Sequence, residues 1–391
     1  MYYTSSSSED TGIKDEQVAQ TRRIGHFIET GIAGGAEQVM MDLARFTIET
    51  RPDFSPVILH FDHPWIREHC ERHGIEDQVI PFQRNFKSTL RLPLFALEFS
   101  RWLRQQRIDL LHSHLFGPIT GGAMATRLAG IPHVGTLHDV YMVEEKPVRR
   151  YLLRLAILLC TQLVTVSRDM EAFYRDQCGL NANSLQTIYN GLHVPSYPAT
   201  SRPRASRAPQ SRLTIICVGR LIKLKNVDLV IEAVAELSKT FPIALRILGE
   251  GPELESLQQI AGKAADAGVV SFEGVQSNVA QWLADSDVFV QFSSTEGLSR
   301  SVLEAVASGL PAVVSDVGGN REMVHDSVNG FLVASNDLTG LKQALSKLLE
   351  NSDLREQFGQ AGMAIARRTF SRETCNNAYI ELYKRLIGTV E

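Results

Sequence analysis

Short apolar runs alternate with helix-like stretches along most of this chain, and no other sequence feature constrains the fold as strongly. In the first half, the apolar runs fall at residues 24–28, 57–61, 110–112, 134–137 and 163–166. Helical patterns lie between them, for example at residues 36–50, 92–106 and 118–129. Strands separated by helices of this length predict βαβ units, and therefore a parallel sheet with right-handed crossovers.

The alternation stops at residues 196–212, where proline, serine and arginine replace core residues. This composition predicts a linker or an exposed loop. The apolar runs then resume at residues 213–218, 244–248, 269–272, 288–291 and 312–315. A chain of 391 residues is long enough for two domains. We therefore predict an α/β protein of two doubly wound, Rossmann-like domains, at 22–195 and 213–370, with the ligand in the cleft between them.

The rest of the composition limits the classes of function. Residues 1–21 lack both a basic start and an apolar stretch, and so predict a solvated, disordered tail rather than a secretory signal. The apolar run nearest in length to a membrane span, residues 151–160, is interrupted by Arg154 and predicts a buried helix. A formal net charge of −4 gives no electrostatic reason to expect nucleic acid as a partner. The five cysteines form no C-x-x-C pair, which favours reduced thiols in a cytoplasmic protein.

Polar residues follow the predicted strands of the first domain, at the edge where doubly wound sheets bind ligands. Gly34 and Gly35 separate a strand from a helix, which indicates either a close approach to an anionic ligand or a plain turn. His112 and His114 share one face of a strand, and we favour a structural or substrate-contact role over a metal site, which needs a third ligand. His138 ends the next strand and is interpreted as a binding residue.

Two cations occupy the corresponding place in the second domain. Gly219 and Arg220 follow its first strand, and Lys225 comes just before a helical pattern. Arginine offers a planar fork of donors and lysine a mobile point charge. Together near a helix start they fit the two phosphates of a nucleoside diphosphate, with a chance surface pair as the alternative.

The most informative segment connects the apolar run 288–291 to a helix. Glu296 precedes a glycine in this turn, and Glu304 lies eight positions later on the helix. Such a turn directs backbone N–H groups at a ligand, and a carboxylate beside it accepts two vicinal hydroxyls, as a ribose presents them. Glu304 shares a face with Val302 and Val306, where an acid needs a partner.

In this order the motifs resemble the retaining glycosyltransferases of the GT-B fold that are grouped as family 4. The resemblance runs from about residue 22 to residue 383, and its most specific element is the pair of glutamates separated by seven residues, Glu296 and Glu304. It implies two domains that face a central cleft. The other matching segments are Gly34-Gly35, His138, Asn190-Gly191, Gly219-Arg220-Leu221, Lys225-Asn226, Gly309-Leu310-Pro311 and Gly318 to Glu322.

The resemblance also implies roles for single residues. Arg220 and Lys225 hold the donor diphosphate, and they act in catalysis together with Glu296, which faces the transferred sugar, and His138, which lies near it. Glu304 is the implied ribose ligand. We assign acceptor contacts to His112 and His114, and expect the helix at 371–391 to cross back to the first domain. The implied donor-binding residues are Gly35, Gly219, Arg220, Lys225, Val275, Glu296, Gly297, Leu298, Ser299 and Glu304.

Enzymes of this family typically need no metal or other cofactor, and their co-substrate is a nucleotide sugar, most often a UDP-sugar. The implied acceptor is a glycan or a lipid-linked molecule, as in polysaccharide or glycoconjugate synthesis. Asp285 and Asp287 match the D-x-D pattern of metal-dependent sugar transferases, but they precede a strand and predict a helix-to-strand turn. Ser299 stands where glycine is frequent, so the donor sugar stays open. The alternatives are a sugar-nucleotide epimerase and a non-catalytic nucleotide-sugar-binding subunit.

One segment suggests contact with a membrane. Residues 84–107 carry six basic side chains against one acid, Glu98, together with three phenylalanines and Trp102. A basic amphipathic helix is typical of enzymes that bind an anionic bilayer, here the inner face of the membrane, where a lipid-linked acceptor would dock. The alternative is a helix packed on its own sheet with a basic outer face.

Overall fold

The computed structural model of the protein describes residues 21–31, 34–159, 161–193 and 212–388. Almost all of the predicted tail (1–21) and of the predicted linker (196–212) lies outside these ranges. The described chain contains two sheets, one of seven strands and one of six, in which all strands are parallel.

The first sheet has the order β3-β2-β1-β4-β5-β6-β7 and reverses its direction of winding between β1 and β4. Ligands of such sheets bind beside the carboxyl ends of the strands at this reversal. Its strands are β1 (Arg22–Ile28), β2 (Phe54–His60), β3 (Glu76–Val79), β4 (Leu110–His114), β5 (His133–Leu137), β6 (Thr161–Thr165) and β7 (Leu185–Thr187). Its helices are α1 (Gly35–Thr50), α2 (Pro64–His73), α3 (Gln83–Phe86), α4 (Leu92–Gln105), α5 (Phe116–Ala129), α6 (Tyr141–Glu145), α7 (Arg149–Leu158) and α8 (Arg168–Cys178).

The second sheet repeats this plan with the order β10-β9-β8-β11-β12-β13, so that β8 and β11 flank its reversal. Its strands are β8 (Leu213–Val218), β9 (Ile243–Leu248), β10 (Val270–Gly274), β11 (Val288–Gln291), β12 (Ala312–Ser315) and β13 (Gly330–Val333). Its helices are α9 (Val227–Leu237), α10 (Leu254–Asp266), α11 (Val279–Ala284), α12 (Arg300–Ala307), α13 (Asn320–Met323), α14 (Leu338–Glu350) and α15 (Ser352–Thr369). The predicted pair of doubly wound α/β sheets is confirmed.

The central strands are apolar because helices cover the sheets on both faces. All residues of β4, β5, β11 and β12 are buried. Buried apolar residues of the two domains also join in one cluster, which includes Met170 and Tyr174 of the first domain and Leu298 and Val302 of the second. The domains are therefore packed against each other.

The last helix, α16 (Arg372–Ile387), follows the second domain in the chain but packs on the first. Its buried side chains, among them Tyr379 and Tyr383, share a core cluster with Leu43 and Phe46 of α1. This packing covers the middle of the first sheet and determines the surroundings of the histidines described below.

The prediction of a buried helix at residues 151–160 is wrong in part. The helix exists as α7, but Tyr151 is 53% and Leu158 is 78% exposed, while Leu153 is buried. Only one stripe of α7 packs, because a helix at the surface of a sheet layer has a single neighbour face. Among the described residues, no helix combines the length and the apolar character that a bilayer crossing requires.

Candidate active site

Glu296 lies in the loop between β11 and α12, at the carboxyl edge of the second sheet. Its Oε1 atom is 2.5 Å from Nζ of Lys225 and 2.5 Å from Oγ of Ser293, and the Gln291 amide also donates to it. The Glu296 side chain is only 9% exposed. Lys225 ends a short turn after β8, and β8 is the neighbour of β11 in the sheet. The sheet therefore brings two predicted site residues together as an ion pair.

Ser299 begins α12 and connects this helix to the same network. Its Oγ atom accepts a hydrogen bond from the N–H of Val302 at 3.5 Å and donates to Oε1 of Gln291 at 2.9 Å. Ser301 donates to the same amide oxygen at 2.7 Å. Gln291 therefore holds Glu296 with its nitrogen and the start of α12 with its oxygen. The hydroxyl of Ser299, one of the implied donor-binding residues, is used here to order the loop.

The two domains touch backbone to backbone at Gly297. A Cβ atom at this position would overlap the carbonyl oxygen of His138 and would lie 3.0 Å from Sδ of Met170, so only glycine fits. On the other side, the N–H of Gly319 donates to the carbonyl of Gly297 at 2.9 Å. Gly318, with φ of +51°, packs against the backbone of Glu296 in the same way. The turn at Gly297 is therefore packed between His138, directly after β5, and the loop after β12.

Glu304, the predicted ribose ligand, is paired with Arg300 one helical turn earlier. Nε of Arg300 donates to Oε1 of Glu304 at 2.9 Å, and its Nη1 donates to Oδ2 of Asp42 at 2.8 Å. Asp42 belongs to α1 of the first domain. The two side chains on α12 are each about one quarter exposed, at 24% and 25%. One guanidinium thus joins the predicted ribose ligand to the opposite domain.

The remaining predicted donor residues lie on loops at the same edge of the sheets. Arg220 is exposed directly after β8, and Val275 is 70% exposed directly after β10. Burial raises the pKa of the Asp139 carboxyl, and the charge of Arg220 opposes this rise, so that these groups interact across the domain boundary. Gly35 begins α1, where the N–H of Gly34 donates to the Glu37 carboxylate at 2.7 Å.

His112 and His114 lie inside the first domain, at 0% and 1% exposure. Nδ1 of His112 is 2.7 Å from the hydroxyl of Tyr383, and its Nε2 is 2.7 Å from the hydroxyl of Thr136. The acceptor contacts assigned to His112 and His114 stay a prediction, but both ring nitrogens of His112 are bonded inside the domain. The physical reason is α16, which covers this part of β4 from a position about 270 residues away in the chain.

β1 adds a third buried imidazole, His26, to this group. Its Nδ1 atom is 3.3 Å from Nε2 of His114, and ring nitrogens of His26, His112 and His114 all lie within 4.8 Å of one another. His26 is therefore the third histidine that a metal site at His112 and His114 would need. His114 also reaches His138, whose Nε2 lies 3.5 Å from Nδ1 of His114. Burial lowers the pKa of His138 to about 4.

Glu322, in the matching segment 318–322, holds the domains together at a second place. Its carboxylate accepts the N–H groups of Arg168 and Asp169, at 3.1 and 3.2 Å, and the hydroxyl of Tyr189 at 2.7 Å. These N–H groups begin α8, where a carboxylate is favourable. The segment is thus an interdomain contact.

The D-x-D sequence lies between α11 and β11, as the predicted helix-to-strand turn. Oδ2 of Asp287 accepts the N–H of Thr214 at 2.7 Å, beside the amino-terminal ends of β8 and β11. Glu296 follows the other end of β11. Asp287 therefore joins two strands on the far side of the sheet from the site.

Comparisons with known proteins point to glycosyltransferases. The family model described as Glycosyltransferase Family 4 matches residues 33–195, and the one described as Glycosyl transferases group 1 matches residues 200–364. The chain is 27% identical over 296 residues to N-acetyl-alpha-D-glucosaminyl L-malate synthase of Bacillus anthracis, covering 74% of this chain and 77% of that protein. It is 32% identical over 174 residues to the lipopolysaccharide core biosynthesis glycosyltransferase LpsE of Rhizobium meliloti, covering 44% of this chain and 50% of that protein.

Among solved structures, Anabaena Alr3699/HepE in complex with UDP and glucose superposes with a TM-score of 0.79 at 23% identity, covering 93% of this chain and 100% of that one. This likeness concerns the fold. The two family models together span both domains and both halves of the site. The chain belongs to the GT-B glycosyltransferases of the family 4 type, and it is a glycosyltransferase.

Proposed function

We propose that this enzyme transfers a sugar, with retention of its anomeric configuration, from a UDP-sugar to a glycan or lipid-linked acceptor in the synthesis of a polysaccharide or glycoconjugate. The observation that carries the donor proposal is the contact of Lys225 with Glu296 beside the Gly297 turn, next to Arg220. Cations, a carboxylate and open backbone groups at one sheet edge suit a sugar diphosphate. The Anabaena neighbour was solved with UDP and glucose, and LpsE acts in lipopolysaccharide core synthesis, which supports both donor and acceptor classes.

The proposed chemistry relies on charge and orientation. When the bond between the sugar and the diphosphate breaks, negative charge grows on the leaving phosphate, and in this proposal Arg220 and Lys225 neutralise it. The Lys225 ammonium has three donors, so its bond to Glu296 leaves two for phosphate oxygens. Glu296 itself orients the sugar hydroxyls. Because two side-chain cations take this role, we propose that the reaction needs no metal.

The donor proposal is tested by replacing Glu304 with alanine. A carboxylate that accepts two ribose hydroxyls contributes about 1.5–3 kcal/mol, so we expect the Kd for UDP to rise roughly 10- to 150-fold. Thermal shift at increasing UDP concentration measures this, since a ligand at 100 times its Kd adds about 2.7 kcal/mol of stability. Glu350→Ala, at the exposed end of α14, is the matched control.

The outcomes separate the candidate functions. An unchanged UDP affinity in Glu304→Ala would contradict the role of this residue in ribose binding. A wild-type protein that no nucleotide or nucleotide sugar stabilises would contradict the donor proposal as a whole. Consumption of a bound nucleotide sugar in the absence of any acceptor would favour an epimerase, and binding without turnover would favour a non-catalytic subunit.

We also propose that the enzyme works on the cytoplasmic face of the membrane, with α4 and the turn before it as its contact. The predicted aromatic face is not available, because Phe95 and Phe99 are buried in the core. The exposed apolar residues are instead Leu90 at 94%, Leu94 at 47% and Leu97 at 40%, and they lie among the basic residues of segment 84–107. Exposed leucines interspersed with basic residues in the sequence suit an anionic bilayer. The four described cysteines are free and buried, in keeping with a reducing compartment.

The membrane proposal is tested by co-sedimentation with vesicles of phosphatidylcholine and phosphatidylglycerol. We expect Arg91→Gln/Arg101→Gln to lower the bound fraction at least about tenfold, since each basic residue near an anionic surface contributes about 1 kcal/mol. Leu90→Ser/Leu94→Ser should lower it as well. Ile260→Ser, at a site 50% exposed in the second domain, is the control. Equal binding of all variants, or no binding of the wild type, would refute the proposal.

A further inference from the structure

A row of three imidazoles leads from the interior of the first domain to the proposed reaction centre. Nδ1 of His26 lies 3.3 Å from Nε2 of His114, and Nδ1 of His114 lies 3.5 Å from Nε2 of His138. His26 and His114 are fully buried, whereas His138 is half-buried at the end of β5. The resemblance to family 4 implies that His138 acts near the transferred sugar, whereas the chemistry proposed above gives His26 and His114 no part.

Proton positions in this row are restricted by simple counting. Burial lowers the pKa of His26 to about 3 and holds that of His114 well below its ordinary value, so both rings are neutral near pH 7. A neutral imidazole has one N–H and one acceptor nitrogen. His114, which contacts a ring on each side, must therefore donate to one and accept from the other. The N–H groups of both hydrogen bonds therefore point the same way along the row, either towards His138 or towards His26.

The inner end of the row decides between these directions. Nε2 of His26 is buried and has no hydrogen-bond partner among the described residues. If His114 donated to Nδ1 of His26, the proton of His26 would sit on Nε2 as a buried N–H without an acceptor. If His26 donates from Nδ1 instead, its Nε2 carries only a lone pair. Buried N–H groups without a partner are rarer than buried acceptors without one. His26 therefore donates its N–H to His114, and His114 donates its N–H to His138.

A metal ion is a weaker interpretation of the same cluster. A metal needs a free lone pair from each histidine, directed at one point about 2.0–2.1 Å away. Both nitrogens of His112 already bond to Tyr383 and Thr136, and the nearest nitrogens of His26 and His114 are at hydrogen-bond distance from each other.

We propose that His26 and His114 are positioning residues that hold His138 in its Nδ1–H tautomer. His114 donates to Nε2 of His138, so the single N–H of the His138 ring is placed on Nδ1. Among the described residues this ring bonds through Nε2, which leaves the Nδ1–H for a hydroxyl of the sugar or the acceptor. This use of the N–H rests on the proposed function, whereas the tautomer does not.

The tautomer is measured directly by two-bond ¹⁵N–¹H correlation on protein labelled in its histidines, without substrate. His138→Asn identifies the resonances of His138 by their loss. We expect the Nδ1–H form in the wild type. His114→Phe should lose it, because phenylalanine keeps the ring but has no donor. His114→Asn should restore it, because the asparagine amide replaces Nδ1 of the imidazole as a donor.

Kinetics then connect the tautomer to turnover. With a working donor, we expect His114→Phe to lower kcat roughly 3- to 10-fold, the worth of one hydrogen bond, with the Kd for UDP unchanged and with recovery in His114→Asn. An Nε2–H tautomer of His138 in the wild type, or an Nδ1–H tautomer that persists in a folded His114→Phe variant, would overturn the inference. Failure of the wild type to bind UDP would instead count against the proposed function and leave the spectroscopic result standing.

Discussion

Replacing Lys225 with alanine should lower kcat/KM for the nucleotide sugar by about 10²–10³, the loss typical for one group that stabilises charge in the transition state. Two effects add in this variant. The leaving phosphate loses a cation, and Glu296, only 9% exposed, keeps a negative charge that no lysine balances and that repels the diphosphate. Steady-state kinetics with a saturating acceptor measure the loss.

The double variant Lys225→Ala/Glu296→Gln separates these effects. Removal of the unpaired charge should recover the part of donor affinity that was lost to repulsion, but not the part of kcat that depends on the cation. Lys223→Ala is the matched control, since Lys223 lies on the same short turn and is exposed. If Lys225→Ala kept kcat/KM within about twofold of the wild type, the role of Lys225 at the diphosphate would be refuted.

Gly297→Ala should separate the two domains at the site. The added methyl group would meet the carbonyl of His138, a backbone atom that cannot turn away as a flexible side chain does. Overpacking of this kind costs about 1–3 kcal/mol, which corresponds to a roughly 5- to 150-fold smaller population of the arrangement in which the domains meet at Gly297. We expect kcat/KM to fall by this factor, and the melting temperature to fall with it.

A glycine with room around it provides the comparison. Gly117, in the first turn of α5, has its nearest neighbour, a ring atom of Phe86, at 3.4 Å from the position of an added Cβ, an ordinary contact. Gly117→Ala should therefore leave both kinetics and melting temperature close to the wild type. A Gly297→Ala enzyme with wild-type kcat/KM would show that the close approach to His138 is not needed for turnover.

The strands at the centres of both sheets were predictable because each contains a run of buried apolar residues between helical patterns. The predicted bounds of β8, β11 and β12 agree with the structure, whereas β3, β7 and β13 were missed. All three missed strands are at sheet edges and have three or four residues. Such strands carry too little periodic signal, and pairing with a neighbour is what orders them.

In the candidate site, too, some residues were predictable from the sequence and some contacts were not. Lys225 was predictable because it lies just before a helical pattern. Glu296 and Glu304 were predictable because they belong to one motif that connects a strand to a helix. The pair of Arg300 with Glu304 was also readable, as an i,i+4 pair, but its bond to Asp42 joins positions 258 residues apart. His26 left a weak signal, a polar residue in the middle of a buried strand. Its meeting with His114 depends on the neighbouring places of β1 and β4 in the sheet.

The guanidinium of Arg300 connects the proposed ribose ligand to the opposite domain. It bonds at once to Glu304 and to Asp42, so a ribose that takes hold of Glu304 acts on the same charge that attracts α1. By thermodynamic linkage, the free energy by which this contact between the domains favours nucleotide binding equals the free energy by which bound nucleotide favours the contact. If Glu304 binds the ribose as proposed, donor binding and the contact between the two domains are therefore coupled through one side chain.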